Sequence, residues 1–129
     1  MRRAFKTKAF TRWANKSSLT DSSLCNALDE MVAGLIDADL GGNVVKKRIA
    51  IPGRGKSGGS RTLVATNRGA RWFFVFGFEK NARDNINADE LAALKKLARD
   101  LLKLNDSQLD EAAAVGALQE ICHAQSKPH

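Results

Sequence analysis

Residues 52–61 of this 129-residue chain read PGRGKSGGSR and combine four glycines with three cations. Glycine lets a loop approach a phosphate closely because it has no Cβ, and Lys and Arg side chains neutralise phosphate charge. The stretch is therefore typical of three structures: a nucleotide-binding P-loop, a basic loop that contacts a larger polyanion, or a hairpin loop whose charges are merely solvated.

The P-loop interpretation fits the spacing poorly. That motif needs a glycine, four residues, and then Gly-Lys-Ser/Thr at the start of a helix. Gly55, Lys56 and Ser57 supply its end, but Ala50 occupies the position of the first glycine. The residues that follow, RTLVAT at 61–66, favour a strand. A nucleotide-binding loop is thus disfavoured, which leaves the basic loop and the hairpin loop.

The distribution of charge favours a polyanion partner. The chain has a net charge of +7, and residues 46–83 hold ten basic residues and one acidic residue, a net +9. Residues 17–45 hold five acidic residues and no basic one, and residues 84–129 are net −3. A basic block of this density indicates contact with nucleic acid. The alternative is a basic face without function.

Composition predicts a single domain over residues 1–129, since hydrophobic residues make up 43% of the chain. No apolar run approaches the roughly 18 residues of a membrane span, so we expect a cytoplasmic protein without a membrane partner. Cys25 and Cys122 are far apart in sequence and are expected to be reduced thiols. The two histidines, His123 and His129, lack further metal ligands nearby, so we expect neither a metal nor a cofactor.

The first 40 residues predict a short strand followed by two adjacent helices that pack as a hairpin. Residues 4–7 favour the strand, and residues 8–16 favour the first helix. Thr20 is a suitable N-cap for the second helix. Apolar residues at helical spacing predict its buried stripe: Leu24, Ala27, Leu28, Met31, Val32 and Leu35.

The middle of the chain predicts strands. Residues 44–51, 61–66 and 71–78 are rich in β-branched or aromatic residues, and the short connection at 67–69 predicts a hairpin between the last two. Because side chains alternate along a strand, Lys46 and Arg48 should share one face. The apolar face of this sheet is expected to lie on the helices.

The last third predicts helices. Asn87 and Glu90 form a capping-box pattern that opens an amphipathic helix, and a further helix is expected at about 107–115, capped by Asp106 or Ser107. Residues 117–122 favour helix and strand equally. The predicted fold class is α+β: two N-terminal helices, a mostly antiparallel sheet of three to four strands, and C-terminal helices. The core would span about 3–104, with 105–129 a helical extension.

The order of a basic strand, GRGKSGGSR, a strand, WFFVFGFEKNARDNI and a helix resembles the RelE/HigB group of bacterial toxins. The resemblance covers about residues 3–104 and is strongest at Gly55–Arg61 and Phe76–Ile86. It implies a RelE-like fold and a metal-independent endoribonuclease (an mRNA interferase) that cleaves mRNA on the translating ribosome and inhibits translation. It also implies a cognate antitoxin, often a helix-turn-helix protein encoded beside the toxin.

The resemblance also implies which residues form the site. Motif by motif, the catalytic cations correspond to Lys56, Arg61, Lys80 and Arg83. We further expect four residues of the basic block to bind RNA: Lys46, Arg48, Arg54 and Asn81. The chain departs from the family pattern at Glu79, where a glycine is usual, and at Asn81, where some members have arginine. It has no tyrosine, and Ile86 lies near the place of the tyrosine found in some members.

Cleavage of RNA by its own 2′-hydroxyl requires a proton acceptor, stabilisation of the phosphorane and protonation of the leaving 5′-oxygen. No histidine precedes residue 123, so a two-histidine mechanism is disfavoured. A lysine among like charges gives up its proton more readily, which makes Lys56 or Lys80 a candidate base. Arginine stays charged, so Arg61 and Arg83 suit stabilisation of the transition state. Trp72 is the candidate for stacking on a base.

Two other functions use the same basic block. The first is a non-catalytic module that binds nucleic acid or the ribosome. The second is inhibition of DNA gyrase, which is the activity of the related ParE-type toxins. The gyrase inhibitor would cause DNA damage, whereas the binding module would leave mRNA intact.

Overall fold

The computed structural model describes residues 1–51 and 59–123, which form six strands and four helices. In chain order these are β1 (Arg3–Thr7), α1 (Lys8–Lys16), α2 (Asp21–Val32), β2 (Ala38–Asp39), β3 (Val44–Ile49), β4 (Ser60–Thr66), β5 (Arg71–Glu79), α3 (Ala88–Leu102), α4 (Asp106–Ala114) and β6 (Leu118–Ile121). Among the described residues, no helix is long and apolar enough to cross a membrane.

The strands form one mixed sheet in the order β2-β3-β4-β5-β1-β6. β1 runs parallel to β5, and every other neighbouring pair is antiparallel. The α+β class and the mostly antiparallel sheet are confirmed. The predicted strand number was too low because the two edge strands, β2 and β6, contain only two and four residues and show little alternation.

Both faces of the sheet are buried, each under a pair of helices. Phe10 of α1 and Leu24 of α2 belong to the apolar cluster on one face, together with Val45 and Val64 of the sheet. Leu94 of α3 and Leu109 of α4 belong to the cluster on the other face, with Leu63, Ala65 and Phe73. Burial on both faces explains why β4 and β5 read as nearly continuous apolar runs.

Side chains cap all four helices and set where they begin. Thr7 and Thr20 accept hydrogen bonds from the backbone N–H groups of the first turns of α1 and α2. The capping box at Asn87 and Glu90 is confirmed for α3. Asn105 forms a second capping box at the start of α4, so the predicted cap, Asp106 or Ser107, was wrong by one or two residues.

The second helix is shorter than predicted. It ends at Val32, and Gly34 follows with φ +98°, a conformation that glycine adopts without strain. Leu35 therefore lies outside the helix and is 60% exposed, and Val32 is 45% exposed. Their assignment to the buried stripe was wrong, while Leu24, Ala27, Leu28 and Met31 are buried as expected.

Residues 118–121, which the sequence left undecided, form strand β6 against β1. The end of the chain is therefore more than a helical extension. Arg3 of β1 fixes α4 and β6 together: its guanidinium bonds Glu120 at 2.8 Å, Asp110 at 2.7 Å and Asp106 at 3.1 Å. These bonds, chiefly those that Arg3 donates to Glu120, raise the pKa of Arg3 above its usual value.

The prediction of two reduced thiols is wrong in this structure. Cys25 of α2 and Cys122, directly after β6, form a disulfide with their Cα atoms 5.4 Å apart. The two residues are 97 positions apart in sequence. Their proximity arises only when β6 pairs with β1, which the sequence did not predict.

Candidate nucleic-acid interface

Strands β3, β4 and β5 carry two cross-strand rows of residues toward the side of the sheet that α3 and α4 cover. Arg48 pairs with Arg61, which pairs with Phe78; Lys46 pairs with Leu63, which pairs with Phe76. Directly paired residues project to the same face of a sheet. Lys46, Arg48 and Arg61 therefore share one face, which we call the cationic face.

Alternation along β3 gives its three cations different environments, as predicted. Lys47 points to the opposite face, where it is buried and bonds Glu30 at 2.8 Å and the carbonyl of Leu35 at 3.0 Å. Lys46 is half-buried and Arg48 is exposed, and neither forms an ion pair with a described residue. Lys47 is thus a structural cation, whereas Lys46 and Arg48 can bind a ligand.

Arg61 occupies the centre of the cationic face. It is half-buried, and its Nη1 is shielded from solvent without a hydrogen-bond partner in the part of the chain that the structure describes. It also lies directly opposite Arg48, an arrangement of like charges that destabilises a sheet. A buried, unsatisfied guanidinium N–H costs free energy, and a phosphate oxygen would satisfy it.

Arg83, by contrast, is held by the protein itself. Its two terminal nitrogens bond the two carboxylate oxygens of Glu90, one at 3.0 Å, and its Nε donates to the carbonyl of Asn85 at 3.1 Å. The guanidinium lies over the rings of Phe76 and Phe78, 5.9 and 5.7 Å from their centroids. A phosphate would have to compete with Glu90 for Arg83.

This ion pair shifts the pKa of both partners. The hydrogen bonds from Arg83 are the largest cause that lowers the pKa of Glu90, followed by the backbone N–H of Asn87. The same contact raises the pKa of Arg83. Because Glu90 is also the acidic partner of the α3 capping box, one carboxylate fixes both the helix start and Arg83.

Lys80 and Asn81 lie in the turn that follows β5, and both are exposed. The N–H groups of Ala82 and Arg83 donate to the carbonyl of Glu79, which closes this turn. Glu79 pairs with Ser60, the residue before Arg61, so the turn lies at the same end of the sheet as Arg61. The backbone therefore brings Arg61 close to the turn that carries Lys80 and Asn81.

Two predicted site residues, Arg54 and Lys56, lie outside the described residues. Their segment connects Ile49 at the end of β3 with Ser60 at the start of β4, and these two residues are directly paired. The assignments of Arg54 to RNA binding and Lys56 to catalysis remain predictions.

The stacking assignment of Trp72 is wrong. Its side chain is 1% exposed and its Nε1 donates to the carbonyl of Gly69 at 2.9 Å. A bulge at Val75 explains the error, because the register skips that residue and reverses the alternation. Phe76 consequently lies on the cationic face, half-buried and in register with Lys46 through Leu63. Phe76 is the aromatic residue that sequence reasoning missed.

The fold and the site define a class of protein: a small α+β protein with a cationic face on three antiparallel strands. The family model described as the RelE toxin of the RelE/RelB toxin-antitoxin system matches residues 2–121. The chain therefore belongs to the RelE toxin family, and the match extends past the region of resemblance to include β6. A search of curated proteins found no significant match.

Proposed function

We propose that this protein is an endoribonuclease that cleaves mRNA on the translating ribosome and thereby inhibits translation. One observation carries the proposal: Arg61 lies between Arg48 and Phe78 on the cationic face with a shielded, unsatisfied N–H group. That group is positioned like a fixed donor for an anion that arrives from outside the chain. The RelE family is known for toxins of the RNase type.

The cations of the cationic face have different roles in the proposed reaction. Arg61, fixed by strand pairing on both sides, stabilises the negative charge that develops on the phosphorane, because a preorganised donor needs no rearrangement during the reaction. Lys46 and Arg48 hold the adjoining phosphates. Phe76 is partly exposed and stacks on a base, and stacking of this kind is independent of sequence.

Proton transfer is assigned to lysine. Lys80 in the turn after β5 and Lys56 in the glycine-rich segment are the proposed proton donor and acceptor, in an order that pH profiles of their alanine variants would decide. Arg83 holds the connection between β5 and α3 and orients Phe76 from one side. We therefore propose that Arg83 positions other residues of the site. It would contact phosphate directly only if its ion pair with Glu90 breaks.

A RelE toxin implies a cognate antitoxin. We propose that this antitoxin is a helix-turn-helix protein encoded beside the toxin and that it neutralises the toxin with an acidic or amphipathic segment laid over the cationic face. Cleavage on the ribosome places the proposed activity in the cytoplasm. Harmless expression of the protein alone, in a cell without any neighbouring regulator, would count against both the toxin and its antitoxin.

The decisive experiment is to map mRNA 5′ ends genome-wide after a brief pulse of expression. The proposal predicts new 5′ ends inside translated regions and none in untranslated RNA. New ends spread equally over both would indicate cleavage without the ribosome. Intact mRNA with induced DNA damage would favour gyrase inhibition, and intact mRNA without damage would favour a binding module.

A further inference from the structure

The disulfide between Cys25 and Cys122 fastens the edge of the sheet to the layer of helices above it. β6 pairs with a single neighbour, β1, and contains four residues. Ile121 is 3% exposed and belongs to the same apolar cluster as Leu24, which precedes Cys25. The bond therefore adds a covalent link at the point where the last described strand ends.

The helix to which β6 is fastened is itself anchored across the sheet. Asp21, at the start of α2, bonds Lys6 of β1 at 2.6 Å, and Glu30, near its end, bonds Lys47 of β3 at 2.8 Å. These two ion pairs and the buried stripe keep α2 in place without the disulfide. β6 keeps its four pairs with β1 and the bond from Arg3 to Glu120, but it is the shorter element at the sheet edge, so breaking the disulfide should loosen β6 more than α2.

The bond is also remote from the cationic face. The cations of that face lie on β3 and β4 and its aromatic residues on β5, whereas β6 is separated from β5 by β1 and from β4 by both β5 and β1. Both cysteine residues are half-buried, so small thiols can reach them without unfolding of the protein. The chain contains no other cysteine.

We propose that Cys25 and Cys122 form a reversible thiol–disulfide exchange site whose substrates are dithiols, and that its reduction releases β6 while the cationic face stays intact. Disulfides of proteins in reducing compartments are typically transient and redox-sensing. The redox state of this disulfide would set the lifetime of the folded protein and leave the chemistry at the cationic face unchanged. The proposal does not depend on RNA cleavage.

The dithiol alone supplies the electrons and protons that the exchange reaction needs. One thiolate of the dithiol attacks either sulfur, which breaks the Cys25–Cys122 bond, forms a mixed disulfide and expels the other cysteine as a thiolate. The second thiol of the reagent then displaces the protein sulfur. The protein gains two electrons and two protons as two thiols, and the dithiol leaves as a cyclic disulfide.

Dithiothreitol serves as the probe, with the full chain purified without reductant. Alkylation with iodoacetamide in denaturant should add no label before reduction and two labels afterwards. Opening a loop of this length should lower the melting temperature by about 10 °C or more. Amide hydrogen exchange should accelerate at 118–121 and stay unchanged in β3, β4 and β5. Reoxidation should restore all three measurements.

The double variant Cys25→Ala/Cys122→Ala should match the reduced wild type and no longer respond to dithiothreitol. Two labels on protein equilibrated with oxidised dithiothreitol would overturn the proposal, as would equal melting temperatures before and after reduction. Faster exchange in β3–β5 to the same extent as in β6 would overturn the claim that β6 opens separately. If the variant does not fold, the comparison of reduced with oxidised wild type decides the matter alone.

Discussion

Arg61 is the residue on which the proposed chemistry depends most, and its removal should leave the fold almost unchanged. It forms no ion pair with a described residue and lies opposite another arginine, so Arg61→Ala removes a repulsion as well as a side chain. We expect the free energy of unfolding to change by less than about 1 kcal/mol. Urea denaturation checks this, and growth after induction should show that toxicity is lost.

Arg99→Ala is the matched control, since Arg99 is exposed on α3 and forms no ion pair among the described residues. This variant should keep both stability and toxicity. A large loss of stability in Arg61→Ala would instead identify Arg61 as a structural cation and remove the main support for the site.

Glu90 predicts a pH dependence of stability. The pKa of Glu90 is lower in the folded protein than in an unfolded chain, mainly because of Arg83. Its stabilising contribution is therefore complete above the unfolded pKa and is lost as the pH falls through the lower folded pKa. Glu90→Gln should have a lower urea midpoint than wild type at pH 6, and the difference should shrink as the pH falls to about 3.

Glu111→Gln is the control for this titration, because Glu111 is exposed on α4 and forms no ion pair with a described residue. Its midpoint should follow that of the wild type at every pH. A difference between Glu90→Gln and wild type that stays constant between pH 6 and pH 3 would show that the charge of Glu90 does not stabilise the fold.

Among the elements, those with a strong local signal were predictable and those fixed by distant pairing were not. The capping box at Asn87 and the alternation of β3 are local, and both are confirmed. The bulge at Val75 is not local: it depends on the register between β4 and β5, and it decides which aromatic residues reach the cationic face. Sequence reasoning therefore placed Lys46 and Arg48 on one face correctly, but it chose Trp72, which is buried, as the exposed aromatic.

The packing of α1 on β5 can be tested by substitution of Gly77. A Cβ atom at Gly77 would be only 2.2 Å from Cζ3 of Trp13 in α1, so an alanine must displace a rigid ring. We expect Gly77→Ala to lower the free energy of unfolding by about 1–3 kcal/mol. Gly69→Ala is the control, because its nearest neighbour would be Oδ1 of Asn67 at 3.5 Å, an ordinary contact.

Removal of the obstructing ring provides a second check at Gly77. In the double variant Gly77→Ala/Trp13→Ala the two costs should not add, because the alanine then occupies space that the indole has left. Strict additivity in chemical denaturation, or a Gly77→Ala variant as stable as wild type, would show that α1 does not pack on Gly77 in this way.

At the scale of the whole molecule, internal ion pairs reduce the number of cations in the basic block that are available to a ligand. Four of its cations have carboxylate partners within the described structure: Lys47, Arg68, Arg71 and Arg83. Four described cations remain without such a partner: Lys46, Arg48, Arg61 and Lys80. The net charge of the block therefore overstates the number of described cations that are available to the polyanion partner it predicts.

This count predicts the salt dependence of RNA binding. About four phosphate contacts on a single strand give a slope of roughly −3 for the logarithm of the binding constant against the logarithm of salt concentration. Arg61→Ala should reduce the slope by about 0.7. Arg68→Ala should leave it unchanged, because Arg68 is already paired with Asp39. Fluorescence anisotropy with a short single-stranded RNA measures the slope for the wild type and both variants. A binding constant of the wild type that does not change with salt concentration would exclude phosphate binding.

The long-range organisation was the least predictable from the sequence. Strand β6 is too short to show a pattern, and yet its pairing with β1 brings Cys122 to Cys25 and Glu120 to Arg3. These contacts join β1 and α2 to the segment that follows α4. They depend on tertiary structure, so no window of sequence could have shown them.

The most direct test of the proposed function is cleavage of ribosome-bound mRNA by the purified protein, followed by primer extension. Wild type and the control Arg99→Ala should cut mRNA that is held in a translating ribosome, and should cut the same mRNA far more slowly without ribosomes. Arg61→Ala should reduce the rate on the ribosome by about 10²–10³. Intact mRNA with the folded wild type, or cleavage by folded Arg61→Ala at the wild-type rate, would contradict the account.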